Sequence, residues 1–350
     1  MKPPAEARQD QRPASRPLII HNSNSEVGGA EASLIASVAE CGFKPLFLVP
    51  AEGGLSRAVA ARGWEWIALP WPPGLAGLTQ SRWFALPLIL PGLIPYLFRL
   101  GRAFLGAKRI WSSGVKSHAA CLLLSPYLGS RLVFDVRDFL RPPALRKAIA
   151  LASEWCGCGV TANSGTVAAD FPTAQVRYPK VSLARAPEDR RAQEGKRIIS
   201  HLAYFAPYKG QDLFLQCARK LLDAGVDAEF WVIGDVIYPA ASYARYRQGL
   251  YALAAKLRLD SHVRFLGRVE GGHNVQMLLE RTHLLVHCTR EPEPFGRAVM
   301  EALLCGCEAI CHKDSGVVEV TEAGTVYPNW MAPLRAVLGP DYVRVRLRDS

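Results

Sequence analysis

The sequence predicts an α/β protein made of two doubly wound parallel-sheet domains. Three observations predict it. At 350 residues the chain is too long for one ordinary domain and fits two, each with its own core. Short apolar runs of strand length alternate with amphipathic helical stretches, the pattern of repeated βαβ units. One polar run, 183–196, breaks this alternation near the middle and reads as a linker.

The elements follow in order. Residues 1–17 are rich in Pro, Ala and Arg and are expected to form a disordered tail, which places the first domain at 18–184. Its strands are expected at 18–21, 45–49, 66–69, 131–136 and 159–162. The linker proper is 185–196, and the second domain runs from 197 to 350. Its strands are expected at 197–202, 229–233, 263–266, 284–287 and 308–311.

A formal charge of +11 favours a polyanionic partner, and on charge alone nucleotide diphosphates, acidic membrane surfaces and nucleic acid all qualify. Nucleic acid is not expected, because the Arg residues are scattered and no aromatic-basic motif accompanies them. Nine cysteines are an odd number, and with no secretory signal they point to a reducing cytoplasm rather than a disulfide framework. Cys156 with Cys158, and Cys305 with Cys307 and Cys311, sit among small apolar residues and read as core rather than as zinc ligands.

The run 84–98, FALPLILPGLIPYLF, carries no charge and is flanked by Arg82, Arg99, Arg102, Lys108 and Arg109. It is shorter than the roughly 20 residues a spanning helix needs, and Pro87, Pro91 and Pro95 interrupt it. Two readings stay open: a buried helical core segment, or an interfacial wedge on an anionic bilayer, peripheral to the inner face of the membrane.

The richest stretch is EPEPFGRAVMEALLCGCEAI, 291–310. It follows a strand, turns at two prolines and starts a helix near Phe295, whose first amides lack intrahelical partners and suit an anion or a sugar hydroxyl. Gly296 allows close approach to the backbone. Glu293 before the helix and Glu301 within it are placed to bind the hydroxyls of two sugars, although Glu301 also sits four residues after Arg297, the spacing of an ordinary helix ion pair.

This string resembles the retaining glycosyltransferases of family four, which have the GT-B fold of two Rossmann-like domains around a cleft and carry E-P-F-G-x-x-x-x-E here; Glu293, Pro294, Phe295, Gly296 and Glu301 agree. The resemblance covers roughly residues 18–325. It implies a sugar transferase with a nucleotide-diphosphate donor, UDP- or GDP-linked, bound to the second domain, and a glycan or lipid-linked acceptor on the first, as in polysaccharide or glycolipid synthesis. Glu301 would bind ribose, Glu293 the transferred sugar, with Phe295 and Gly296 positioning it through the backbone. YKGQD, 208–212, resembles the family's K-G-x-D segment, so Lys209 would stabilise the leaving diphosphate. SEVGGAE, 25–31, resembles its glycine-rich loop, with Gly28 and Gly29 facing the diphosphate. Arg137 and Asp138 stand where the family often has His-Asp, and would serve the acceptor. Glu319 adds a further, weakly placed contact. No cofactor or metal is expected. His118 and His201 read as scaffold.

One position departs from the pattern. The family's arginine five residues before the lysine is replaced by Tyr204, leaving Arg137 or Arg268 as the substitute cation. Competing readings are a GT-B nucleotide-sugar epimerase and a binding protein with weakened catalysis.

Overall fold

The computed structural model describes residues 16–22, 27–72, 90–181, 183, 196–237, 241–269 and 271–348. The chain divides into two compact units, Met1–Tyr178 and Pro179–Ser350. The expected linker 185–196 lies outside the described residues except for Lys196, as does the tail except for Arg16 and Pro17.

In the first unit the strands are β1 (Leu18–His21), β2 (Leu46–Val49), β3 (Glu65–Ala68), β4 (Ile110–Ser113), β5 (Leu132–Val136), β6 (Gly159–Ala162) and β7 (Gln175–Val176). They form one sheet in the order β3-β2-β1-β4-β5-β6-β7, all parallel. The helices between them are α1 (Gly29–Glu40), α2 (Gly54–Ala60), α3 (Leu90–Phe104), α4 (Val115–Leu128), α5 (Pro143–Cys156) and α6 (Gly165–Ala168).

Alternation along the strands shows the double winding. Ile19, Phe47 and Val49 pack with Leu34, Ile35 and Val38 of α1 and Leu55 and Val59 of α2. Leu18, Ile20, Leu46 and Leu48 turn to the other face, against Leu93 and Leu100 of α3, Cys121 of α4 and Ile149 of α5. β1 and β2 are therefore apolar on both sides, which is why each reads as a continuous apolar run.

The second unit repeats the scheme with β8 (Arg197–Leu202), β9 (Ala228–Ile233), β10 (Val263–Gly267), β11 (Leu284–Val286), β12 (Glu308–His312), β13 (Thr321–Gly324) and β14 (Tyr342–Leu347). The order is β10-β9-β8-β11-β12-β14-β13, parallel up to β12 and antiparallel beyond it. Its helices are α7 (Gln211–Asp223), α8 (Ala241–Lys256), α9 (Gly272–Arg281), α10 (Arg297–Leu304) and α11 (Arg335–Leu338).

In both sheets chain order reverses beside the first strand, between β1 and β4 and between β8 and β11. Loops leaving the carboxyl ends of two such strands diverge to opposite faces and leave a crevice, the usual place for a ligand in an open α/β sheet. Here the crevice at β8 and β11 lies between the loop that carries Lys209 and the loop that carries Glu293.

Candidate active site

Three links tie these two loops together. Arg290 donates to the other loop several times: its amide bonds Tyr208 O at 2.8 Å, and its guanidinium bonds Pro207 O at 2.7 Å and grips both oxygens of Asp212. Gly210, at φ +71°, lies so close to the other loop that a Cβ there would sit 1.9 Å from Cys288 O. Lys209 Nζ then meets Glu293 Oε1 in an ion pair.

Gly210 is thus the hinge that lets lysine and glutamate meet. Gly210→Ala is expected to cost about 2 to 4 kcal/mol or more, from left-handed strain added to a backbone clash. Chemical denaturation measures it; a loss under 1 kcal/mol, on the order of an exposed substitution, would refute the packing described.

Glu293 is positioned from three sides. Its amide donates to Ser315 Oγ at 3.0 Å, and its carbonyl accepts from the Gly316 amide at 3.1 Å. Its side chain is 12% exposed, and Oε2 lies 2.9 Å from Nε2 of the buried His287. Burial alone would raise the Glu293 pKa, but His287 and Lys209 together hold the carboxyl well below its ordinary 4.5.

Phe295 is buried and its carbonyl takes the Val317 amide at 2.6 Å. Gly296 has φ +98°, and a Cβ there would press on Val317 at 3.2 Å, so this turn specifically needs glycine. Helix α10 begins at Arg297, two residues later than the sequence reading placed it, because Gly296 is its left-handed cap.

Around Lys209, the rings of Tyr204 and Tyr208 each lie 5.2 Å from Nζ, and their hydroxyls touch. Tyr204, the departure from the family pattern, therefore flanks the lysine with an aromatic face.

Other expected residues are placed differently. Glu301 Oε1 accepts from Arg297 Nε at 2.6 Å, so the helix ion pair is formed in this ligand-free arrangement. Glu319 belongs to a short 3-10 turn, and its carbonyl takes a bond from Arg348 at 2.8 Å. Arg268 is exposed just past β10, two strands and so roughly 10 Å from β8.

In the first unit Arg137 Nε bonds Asp135 Oδ2 at 2.6 Å and NH1 bonds Ser33 Oγ at 3.0 Å, while Asp135 also accepts from Thr161 at 2.9 Å. The Arg–Asp pair at this strand end uses Asp135. Asp138 is exposed, and its Oδ1 accepts the Phe139 amide at 2.8 Å. Gly28 and Gly29 lead into α1, but the Gly28 amide is already taken by Glu31 Oε2 at 3.0 Å, a carboxylate where an anion was expected. Ser25 and Glu26 lie outside the described residues.

His118 is buried with Nδ1 2.8 Å from Ser112 Oγ, and burial pushes its pKa down to about 4. All nine cysteines are free thiols, seven of them buried. Among the described residues no three His, Cys, Asp or Glu side chains are grouped to hold a metal ion.

With this geometry in view, the comparisons are specific. The family described as glycosyl transferases group 1 matches residues 184–329, which hold Lys209, Glu293, Glu301 and the loops between. The match falls within the second unit. The chain is 26% identical over 147 residues to N-acetyl-alpha-D-glucosaminyl L-malate synthase of Bacillus anthracis, a match spanning 42% of this chain and 35% of that protein's length.

Among solved structures, HepE of Anabaena in complex with UDP is 19% identical with a TM-score of 0.72, covering 92% of this chain and 88% of that one. WaaG, a glycosyltransferase involved in lipopolysaccharide biosynthesis, is 17% identical with a TM-score of 0.57, covering 91% and 89%. The fold of the chain is therefore GT-B, with one Rossmann-like sheet in each unit.

Sequence reasoning missed His287, Arg290, Ser315 and Tyr208. Only His287 left a signal, as a polar residue closing an otherwise apolar strand.

Proposed function

We propose that this chain is a retaining glycosyltransferase that moves a sugar from a UDP- or GDP-linked donor to a glycan or lipid-linked acceptor, without a resident metal. One observation carries the reading: a lysine and an ionised glutamate, drawn from the two loops beside the sheet's switch point, meet next to a glycine-capped helix start. Lys209 would turn to the donor diphosphate, where negative charge grows as the glycosidic bond breaks. Glu293, released, would accept hydrogen bonds from the transferred sugar. Glu301 would exchange Arg297 for ribose hydroxyls. The acceptor hydroxyl attacks from the side the diphosphate leaves, and the leaving phosphate takes its proton.

HepE also has structures in complex with UDP and glucose and with UDP-glucose, which supports a nucleotide-sugar donor here. The test is a thermal-shift panel of UDP-, GDP- and ADP-sugars followed by product analysis. A ligand bound only to the folded state raises apparent stability, by about 2.7 kcal/mol at a hundred times its Kd. Epimerised donor without transfer would replace this reading by the epimerase, and binding without any turnover by the weakened binding protein.

A peripheral association with an anionic membrane surface belongs to the same proposal. No described helix is long and apolar enough to cross a membrane. Of the expected apolar run, 84–89 lies outside the described residues; the rest enters α3, which buries Leu93, Tyr96, Leu100 and Phe104 but leaves Ile94 70% and Phe98 67% exposed, with Leu105 beyond it at 69%. Ile94 and Phe98, four residues apart, lie on one side of the helix, with Leu105 just past its end, and Arg99, Arg102, Lys108 and Arg109 are exposed. Sedimentation with anionic vesicles is expected, weakened by salt and by joint replacement of Ile94, Phe98 and Leu105 with Ser. Equal recovery in the supernatant with and without vesicles would remove the membrane from the proposal.

A further inference from the structure

Glu293 has two cationic or proton-bearing neighbours, but only one of them is free to leave. In the function proposed above, on which this inference rests, the donor diphosphate draws Lys209 away from Glu293 at the moment the carboxylate is needed. A glutamate 12% exposed that loses its lysine would be driven toward its neutral form by burial. Something must hold it.

His287 is placed to do so. It follows β11 directly and is 2% exposed, so it is shielded from solvent and faces Glu293 from within the fold. Its Nε2 lies 2.9 Å from Oε2, the oxygen that Lys209 does not use. An ionised carboxylate only accepts, so the ring nitrogen facing it carries the proton. The contact is bent rather than straight, as ligand-free catalytic contacts often are.

The ring's orientation is fixed from behind. His201 on β8, wholly buried, stacks on His287 with centroids 5.9 Å apart and planes 17° from parallel. Its Nδ1 donates to Val286 O at 2.8 Å, and its Nε2 has no hydrogen-bond partner among the described residues. Burial first, and His287 second, push the His201 pKa down to about 3, so this ring is neutral and acts as a flat apolar support. The remaining titratable groups that face the carboxylate are Lys209, with Tyr204 and Tyr208 about its Nζ, and Cys311 on β12, whose thiol burial and Glu293 push up to about 12. None of these replaces His287.

We propose that His287 is a positioning residue that holds the Glu293 carboxylate in place, backed by the His201 ring, when a donor diphosphate takes Lys209 away.

The experiment has two arms. In the first, transfer is measured for His287→Leu, His287→Gln and each combined with Glu293→Gln. His287→Leu is expected to lower kcat at least tenfold with donor KM within threefold. His287→Gln, which keeps a donor group, is expected to restore most of the loss, and His287→Leu is expected to have little further effect once Glu293 is Gln. If His287→Leu does not fold, as melting and circular dichroism would show, His287→Met takes its place. Parent kcat in the folded variant, a change confined to KM, a Gln variant as poor as Leu, or full additivity with Glu293→Gln would each overturn the proposal.

The second arm needs neither donor nor turnover. Carbon-13 carboxylate resonances are followed in Lys209→Met, where His287 is the partner left to Glu293, and the signal is assigned by its loss on Glu293→Gln. The carboxylate is expected to stay ionised from about pH 5 to 8 in Lys209→Met and to titrate inside that range once His287→Leu is added. Identical titration with and without His287 refutes the positioning role, whereas a shift in a protein that transfers no sugar refutes the function and leaves the positioning role standing.

Discussion

Glu293→Gln is expected to lower sugar transfer by roughly a hundredfold or more, the scale of removing one preorganised group that stabilises a reacting centre. Glutamine keeps the size of the side chain and loses its charge, so Lys209 and His287 are left facing a neutral amide. The same variant should change the acid side of the stability curve. In the folded chain the Glu293 pKa lies below its ordinary 4.5, because Lys209 and His287 outweigh burial. The unfolded chain therefore takes up this proton first as the pH falls. The stability the carboxylate contributes is fully present above the ordinary value and is lost as the pH drops below it toward the depressed one. Parent and Glu293→Gln are thus expected to differ most in Tm near neutrality and to converge on acidification. Transfer within threefold of the parent, or a Tm gap that widens toward acid, would count against both the assignment and the electrostatics.

The fold was legible because both faces of each central strand are buried. That makes continuous apolar runs such as LIIH and AEFWVI stand out between amphipathic helices. What was not legible has physical reasons. β4, IWSS, is a central strand with two serines buried at its carboxyl end, and so lacked the apolar signature; one of them accepts or donates to His118. Strand β14, YVRVRL, alternates valine with arginine, and β13, TEAG, is short and mostly exposed, so neither fits the continuous apolar pattern of the parallel strands. Segment 84–98 was ambiguous because prolines argued against a helix, whereas Pro91 falls in the first turn of α3, where a missing amide costs nothing, and Pro95 is tolerated with its face turned to solvent.

In the candidate site the motif spacing located Glu293 and Lys209 but not what joins them. Lys209 and Glu293 are 84 residues apart, and only the switch point between β8 and β11 brings their loops together. Asp212 is the same kind of case: the sequence placed it in a donor motif, and the structure shows its carboxylate spent on Arg290 and on the Tyr246 hydroxyl at 3.0 Å, closing the loop that carries the lysine. Motifs record which residues recur together; loop-to-loop bonds of this type leave no local pattern.

Lys209→Met should be the second severe variant, with transfer falling by roughly a hundredfold or more for loss of the charge that meets the leaving diphosphate. Methionine keeps the apolar stem between Tyr204 and Tyr208, so the effect isolates the ammonium. The family's usual second cation is absent, and the structure narrows what can replace it. Arg290 is committed to Asp212 and Pro207, and Arg137 to Asp135 and Ser33. An effect of Arg137→Ala would carry a folding component, since a nearly buried aspartate would be left unpaired. Arg268 is exposed just past the carboxyl end of β10, in the same sheet as β8, and Arg268→Ala is expected to lower transfer at least tenfold, the scale of one charge-assisted hydrogen bond of about 1.5 to 3 kcal/mol. Tyr204→Arg is expected not to raise the rate tenfold, because it trades an aromatic face beside the Lys209 ammonium for a like charge in the same space. Initial rates at saturating donor, with melting curves for each variant, decide the matter. A large gain from Tyr204→Arg, with Arg268→Ala unaffected, would mean that the tyrosine marks a weakened enzyme.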